Sequence, residues 1–235
     1  MRYAVYFTPA RDAPLARIAA EWRGRDAYGA AVRPRRAVEG LSEADISFHT
    51  ASARRYGFHA TLKAPFRLAA DRTESELVAA LDAFCGARDP VLLPRIELTR
   101  MSGFFALVPA EPVAELDVLA ADVVRAFEPF RAPLSEAELA RRNPGALSPA
   151  QLRNLHRWGY PYVFDQFLFH MTLSGQVPQA DAPRLAQAIK GTFGPLLEAP
   201  LAIDTLALFI EPEPGAPFLV HTARASGPAQ HRKSA

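Results

Sequence analysis

The chain has 235 residues, of which 49% are hydrophobic, enough for a substantial buried core. Its 27 lysine and arginine residues nearly balance 25 acidic residues, so the net charge of +2 gives no general attraction to nucleic acids or membranes. A lone cysteine, Cys85, excludes an internal disulfide and a cysteine-based zinc site, which fits a reducing cytoplasm. No stretch approaches the roughly 20 apolar residues of a membrane span. We therefore expect a cytoplasmic protein without a membrane partner.

The first half of the chain alternates between strand and helix patterns. Residues 2–8 predict a strand, and the spacing of Leu15 and Trp22 predicts a helix. Residues 24–55 contain scattered glycine, proline and arginine, and they predict mostly loop. A strand over residues 58–68 follows, with alternating polar and apolar side chains.

A capping box opens the next helix, because Thr73 is followed three residues later by Glu76. The remaining predicted elements, in chain order, are a helix to about Gly86, strands over 91–99 and 103–108, a helix over 113–127, short helices within 129–161, a strand over 164–175, a helix to about 193, and strands over 201–210 and 218–222. The last ten or so residues predict a disordered tail.

The stretches GFHATLKAPF and LFHMTLSG both contain a histidine two residues before a threonine. These pairs are His59 with Thr61 and His170 with Thr172. In a strand, residues two apart point to the same face, so each pair shares one polar face while apolar neighbours share the other. The same alternation predicts that Lys63 lies on the face of the first pair.

The surroundings of the two motifs follow the same order, which indicates an internal duplication. We therefore predict one α+β domain over residues 1–235. It would be bilobal, with pseudo-twofold duplicated lobes whose antiparallel sheets line a central cleft. If the two motif strands are neighbours, the histidines face each other across that cleft.

Two facing histidines suit the opening of a cyclic phosphodiester. One takes a proton from water, and the other gives a proton to the departing alkoxide. The threonine hydroxyls can bind the phosphate oxygens, where negative charge accumulates in the transition state, and Lys63 can add a positive charge. This chemistry requires no metal, and we expect no cofactor.

Other site patterns are weaker. The chain has no HExxH, GxSxG, P-loop or GxGxxG motif, which argues against zinc protease, serine hydrolase, NTPase and dinucleotide-binding functions. A solvated loop is predicted for the clustered basic residues Arg33, Arg35, Arg36, Arg54 and Arg55. The remaining histidines lack a threonine partner: His49 in the loop region, His156 in a helix, His221 at a strand end and His231 in the tail.

The longer strings YGFHATLKAPF and RWGYPYVFDQFLFHMTLSG resemble the two-histidine (2H) phosphoesterase superfamily with its LigT-like fold. Within it they resemble the branch of phosphonate metabolism proteins encoded with bacterial phosphonate-utilisation genes. This resemblance implies metal-independent phosphodiester cleavage, with His59 and His170 as acid and base and with Thr61 and Thr172 binding phosphate. The residues peculiar to the branch strings are candidates for substrate binding: Tyr56, Lys63, Trp158 and Tyr160.

The resemblance implies a small phosphodiester substrate, either a 2',3'-cyclic nucleotide, an RNA end or a ribosyl cyclic phosphate. Two alternatives remain open at this point. The chain could bind nucleotides or RNA ends without turnover, or it could run ligation or transfer with an alcohol in place of water. The sequence does not distinguish the acid from the base, and it leaves the oligomeric state open.

Overall fold

The computed structural model describes residues 1–29, 31 and 38–227. The helices are α1 (Pro14–Arg23), α2 (Glu43–Arg54), α3 (Glu74–Gly86), α4 (Ala114–Phe127), α5 (Glu136–Ala140), α6 (Pro149–Trp158) and α7 (Ala182–Leu197). The strands are β1 (Arg2–Phe7), β2 (Ala60–Phe66), β3 (Val91–Leu93), β4 (Ile96–Met101), β5 (Phe104–Pro109), β6 (Met171–Thr172), β7 (Leu201–Ile203), β8 (Thr205–Glu211) and β9 (Leu219–Ala225). Arg33, Arg35, Arg36, His231 and most of the predicted disordered tail lie outside the described residues.

Helix starts follow the local capping chemistry of the sequence. Helices α2, α3, α5 and α6 each begin with a capping box, in which a serine or threonine and the residue three positions later exchange hydrogen bonds. Helix α1 instead begins with proline and ends at Gly24 in the left-handed conformation. The helix predicted from Thr73 and Glu76 is thus confirmed.

A seven-stranded sheet dominates the molecule, in the order β4-β5-β6-β2-β1-β8-β9. Every pairing within it is antiparallel, and β3 and β7 form a separate antiparallel pair. The predicted mixture of helices and antiparallel sheets is confirmed.

The two faces of this sheet bury different clusters. The larger core contains alternate strand residues such as Val5, Ala60 and Met171 together with residues of α1, α3, α4 and α7. The opposite face carries a small cluster that includes Tyr6 and Phe209. The apolar face predicted for each motif strand therefore meets the helices, and the polar face points away from them.

Four predicted elements differ from the structure. The strands predicted over 91–99 and 201–210 are each divided into two, β3 with β4 and β7 with β8, and only β4 and β8 belong to the large sheet. The region predicted as mostly loop contains α2, because Ser42 caps the helix through Asp45 and not through the glutamate or glutamine typical of a capping box. The strand predicted over residues 164–175 is reduced to β6, because a 3₁₀ turn at Phe164–Gln166, begun by Phe164 with φ of +55°, interrupts the extended backbone.

Each half of the chain contributes strands to the neighbourhood of the other half. The hairpin β4–β5 pairs with β6, whereas the hairpin β8–β9 pairs with β1. The sheet is continuous across the motif strands, and the division into two duplicated lobes stays a prediction. None of the described helices has the length and apolar character needed to cross a membrane.

Gly57 precedes the first motif in a conformation that favours glycine, with φ of +71°. A Cβ atom at this position would lie 2.5 Å from the Cβ of Ala27, so substitution would add a clash to the backbone strain. Gly215 also has positive φ, +92°, but a Cβ there would meet no atom within 4 Å.

We expect Gly57→Ala to lower the free energy of unfolding by more than the matched variant Gly215→Ala. Backbone strain costs about 1–3 kcal/mol at either site, and only Gly57→Ala adds the contact with Ala27. Urea unfolding of both variants measures the difference. Equal destabilisation would contradict the steric account of Gly57.

Candidate functional site

Strands β2 and β6 bring the two His-x-Thr motifs together at the centre of the large sheet. The middle residue of one motif, Ala60, lies opposite the middle residue of the other, Met171. One residue further in either direction, this antiparallel register places the histidine of each motif opposite the threonine of the other. The two histidines are diagonal neighbours, a relation that separates side chains by about 7–8 Å. A phosphate group fits such a gap.

All four motif side chains lie on the sheet face opposite the main helices. Ala60 and Met171 belong to the helix-covered core, so the residues on either side of them point the other way. Thr61 lies opposite Tyr6 of β1, which belongs to the small cluster on this second face. We call this surface, defined by His59, Thr61, His170 and Thr172, the motif groove.

The two imidazoles are held by the same type of hydrogen bond. Nδ1 of His59 donates to the carbonyl oxygen of Gly57 at 3.1 Å, and Nδ1 of His170 donates to that of Leu168 at 2.8 Å. Because a carbonyl can only accept, the neutral rings carry their proton on Nδ1. Nε2 of each ring is therefore free to take a proton in the groove and, once the ring is protonated, to give one.

Both threonines are half-buried in the groove. Within the part of the chain that the structure describes, neither the Thr61 nor the Thr172 hydroxyl has a hydrogen-bond partner. These hydroxyls can thus donate to a ligand in the groove.

Aromatic rings flank both histidines. The Tyr6 ring stacks on His59 with a centroid distance of 3.9 Å and an interplanar angle of 21°. The Tyr56 ring lies 6.2 Å from His59, and the Phe104 ring lies 5.8 Å from His170. Tyr56, a predicted substrate-binding residue, is therefore brought to the groove.

The environment of His59 favours its neutral form. Burial lowers the pKa of His59 to about 3, and the positive charges of Arg23 and His170 act in the same direction, while the hydrogen bond to Gly57 opposes them. At neutral pH the ring is uncharged and its Nε2 lone pair is available.

The face predicted for Lys63 is wrong, because a β-bulge interrupts the alternation of β2. Tyr6 of β1 pairs with Thr61. The adjacent Val5 pairs with Lys63, so β2 contains one extra residue at this point. Lys63 shares the face of Val5, is 3% exposed, and forms an ion pair with Glu128 at the end of α4.

Two aromatic residues at the end of α6 and just after it, Trp158 and Tyr160, are predicted to bind substrate. Within the described residues, Tyr160 is the one of the two with an interaction towards the groove. Burial raises the pKa of Tyr6 most, and the nearby Tyr56 and Tyr160 raise it further, while the guanidinium of Arg142 lies 5.1 Å from the Tyr160 ring centroid. Trp158 packs edge-to-face on Phe164 at 5.0 Å. In the described ranges no ring contact joins Trp158 to either histidine.

Sequence reasoning missed three groups around the groove: Tyr6, Arg23 and Arg142. Tyr6 sits in a predicted strand, but its pairing with the motif strand joins residues far apart in sequence. Arg142 is the last residue of the stretch SEAELARR, within the region predicted to form short helices. The sequence signal for this neighbourhood is the string RWGYPYVFDQFLFHMTLSG, which contains the predicted residues Trp158 and Tyr160.

The predicted solvated arginines at 54 and 55 instead tie segments together. Nε of Arg54 donates to the carbonyl oxygen of Arg23 at 2.7 Å, and Arg55 pairs with Glu211, which is 1% exposed.

The described part of the chain holds no group of three or more His, Cys, Asp or Glu side chains that could bind a metal ion. His49 is buried in α2, and Nε2 of His221 lies 3.2 Å from Glu74.

Residues 61–219 match a family model described as "Protein of unknown function (DUF1045)". The chain belongs to the DUF1045 family. The match begins at the threonine of the first motif and includes the whole second motif.

Two curated relatives of this DUF1045 chain are both named "Ribose 1,5-bisphosphate phosphokinase PhnN". The protein from Janthinobacterium sp. (strain Marseille) is 42% identical over 224 residues, which are 93% of this chain and 49% of the relative. The protein from Laribacter hongkongensis (strain HLHK9) is 38% identical over 226 residues, 93% of this chain and 50% of the relative. The chain spans about half the length of these relatives. The family and the relatives confirm the resemblance predicted from the motif strings.

A solved structure described as "Crystal structure of phosphoesterase" aligns with 96% of this chain and 98% of its own. Its sequence identity is 14% and its TM-score is 0.38, which is too low to establish a common fold.

Because the pKa of His59 is lowered in the folded state, we expect the protein to lose stability as pH falls from about 6.5 towards 3. In this window the unfolded chain binds a proton at His59 that the folded chain does not bind. The contribution is at most about 1.4 kcal/mol per pH unit. His59→Gln removes it, so urea unfolding at several pH values should show a shallower pH dependence for this variant.

The matched control is His156→Gln, which changes an exposed histidine on α6. It should keep the pH dependence of the wild-type protein. If His59→Gln and the wild type lose stability in parallel as pH falls, the buried neutral state of His59 is refuted.

Proposed function

We propose that the motif groove opens a cyclic phosphodiester by adding water. The observation that carries this proposal is the cross-strand pair of His-x-Thr motifs, with both imidazoles oriented by Nδ1 hydrogen bonds and both Nε2 atoms available. The substrate class is a cyclic phosphate of a ribosyl or nucleoside compound, including a 2',3'-cyclic RNA end.

In the proposed reaction, Nε2 of one histidine takes a proton from water as the water oxygen bonds to phosphorus. The ester bond on the opposite side of phosphorus breaks, and the departing alkoxide takes a proton from Nε2 of the other histidine, which enters the step as the imidazolium and leaves it neutral. The product is a phosphomonoester with a free hydroxyl, and proton exchange with solvent resets both rings. Donation from Thr61 and Thr172 to the non-bridging oxygens stabilises the charge that develops there.

We assign His59 as the base and His170 as the acid. A base must enter the reaction unprotonated, and burial keeps His59 neutral at neutral pH. A bound phosphate anion would raise the pKa of His59 towards neutrality and so make it a stronger base in the complex.

The name of the curated relatives supports a phosphorylated ribose as the substrate, while the kinase activity in that name does not transfer to this chain. The chain spans about half of each relative and contains no P-loop motif. We propose that this half supplies the phosphodiesterase chemistry, which would give its product a role in the metabolism of phosphorylated ribose or phosphonates.

Arg142 is the residue that we propose for a second anionic group of the substrate, in the role that the sequence suggested for Lys63. Its guanidinium lies over the Tyr160 ring, and it is near enough to Tyr6, beside His59, to oppose in part the rise in the pKa of Tyr6 that burial causes. Among the described residues no carboxylate pairs with Arg142. An arginine in this position can bind a phosphomonoester through several N–H donors.

His59→Ala and His170→Ala should each lower turnover of a panel of ribosyl and nucleoside cyclic phosphates at least about 100-fold, since each removes one proton-transfer group. The measurement is product formation, with circular dichroism to check the fold. His156→Ala on α6 is the matched control and should keep wild-type turnover. Full activity in either groove variant would exclude the proposed mechanism.

The same panel separates the alternatives. Binding of cyclic phosphates without turnover by the wild type would indicate a binding protein, and a product joined to an added alcohol would indicate transfer. Either result would replace the hydrolytic assignment.

Arg142→Met should raise the KM of a cyclic phosphate that carries an additional phosphomonoester more than the KM of one that lacks it. Loss of one charged donor to phosphate corresponds to about a 10-fold change. The adjacent, exposed Arg141 provides the control, and Arg141→Met should leave both KM values unchanged. Equal KM changes for the two substrates would contradict the role of Arg142.

A further inference from the structure

Arg23 is a buried arginine in the last turn of α1, directly behind the motif groove. Its side chain is 1% exposed, and its guanidinium lies 5.2 Å from the ring centroid of Phe58, the residue before the first motif histidine. A cation in this position is far from solvent and next to the proposed base.

Few interactions offset the free-energy cost of burying the charge of Arg23. No carboxylate among the described residues forms an ion pair with it, and its Nε and Nη2 atoms are buried without a hydrogen-bond partner. Burial lowers the pKa of Arg23 to about 9, so the side chain still carries its charge at neutral pH. An uncompensated buried charge destabilises a protein by several kcal/mol, and an apolar side chain of similar size is often more favourable. Stability therefore does not account for this arginine.

Arg23 and His59 share one hydrogen-bond acceptor. Its Nη1 donates to the carbonyl oxygen of Gly57, the same oxygen that accepts the hydrogen bond from Nδ1 of His59. A second, longer contact of 3.5 Å joins Nη1 to the carbonyl oxygen of Ala53 at the end of α2. Arg23 thus fixes the acceptor that orients the imidazole.

We propose that Arg23 is a positioning residue for His59, because it holds the Gly57 carbonyl that keeps the proton on Nδ1 and leaves Nε2 free towards the groove. This inference rests on the proposed function for its kinetic consequence. Its structural part, the control of the His59 tautomer, does not depend on that function.

Electrostatics add to the same effect. The charged and titratable groups that face His59 are Arg23 from α1, Tyr6 from β1, Tyr56 from the loop after α2 and His170 from the residue before β6. Burial lowers the pKa of His59 most, and the positive charge of Arg23 lowers it further. Removing this charge should move the pKa of His59 upward, towards the ordinary value for histidine.

The test compares wild type, Arg23→Met and Arg23→Lys by ¹⁵N NMR of the histidine rings and by pH-dependent kinetics. We expect the wild type to show His59 with the proton on Nδ1, and Arg23→Met to show a mixture of both neutral tautomers. With a cyclic phosphate substrate, kcat of Arg23→Met should fall by about 10- to 100-fold with KM changed less than about 2-fold, as for other residues that orient a reactive group. The acid limb of kcat/KM should move to higher pH.

Arg23→Lys keeps the positive charge and one donor, so it should retain the position of the acid limb and part of kcat. If Arg23→Met fails to fold, the tautomer and the pH profile are compared between Arg23→Lys and the wild type. The matched control is Arg88→Met, which removes an arginine stacked on Phe84, remote from the groove, and should leave the tautomer and the pH profile unchanged.

A folded Arg23→Met with the wild-type tautomer and pH profile would overturn the inference. If the wild type lacks phosphodiesterase activity, the proposed function fails. The NMR comparison then still decides whether Arg23 controls the tautomer of His59.

Discussion

The candidate site depends on one pairing of short strands, that of β2 with β6. It joins residues more than a hundred positions apart and places Ala60 against Met171 in the core. Because the period of a strand is two residues, burying these two apolar side chains forces both histidines and both threonines onto the opposite face. A slip of one residue would bury the polar side chains and expose the apolar ones. The same register therefore determines both the packing of the core on one face of the sheet and the position of the motif side chains on the other.

A second constraint acts on the rings themselves. Each imidazole is tied at Nδ1 to a backbone carbonyl two residues earlier in the chain. At His59 that carbonyl belongs to Gly57, whose positive φ brings its backbone against Ala27 and whose oxygen also accepts from Arg23. A glycine conformation, a buried guanidinium and a stacked tyrosine thus prepare one side chain before any ligand binds. Such preorganisation is what general acid and base catalysis requires of a scaffold.

Sequence patterns predicted most of the regular structure and the shared face of the His-x-Thr residues. They failed where strand pairing or an unusual helix cap determined the structure. Alternation correctly placed His59 and Thr61 on one face, but it placed Lys63 there too, because a β-bulge leaves no mark in the period of the sequence. Helix α2 was missed because aspartate takes the place of glutamate in its capping box. Tyr6 and Arg23 could not be recognised as site residues, since only the folded sheet brings them to His59.

The most direct test of the central claim is the pH dependence of kcat/KM for the best cyclic phosphate of the panel, measured in the presence of a chelator. The account predicts turnover unaffected by chelator and a bell-shaped profile whose acid limb lies below the ordinary pKa of histidine, because desolvation lowers the pKa of His59, the proposed base. Loss of activity in chelator, or a profile without two ionisations, would contradict a paired-histidine mechanism.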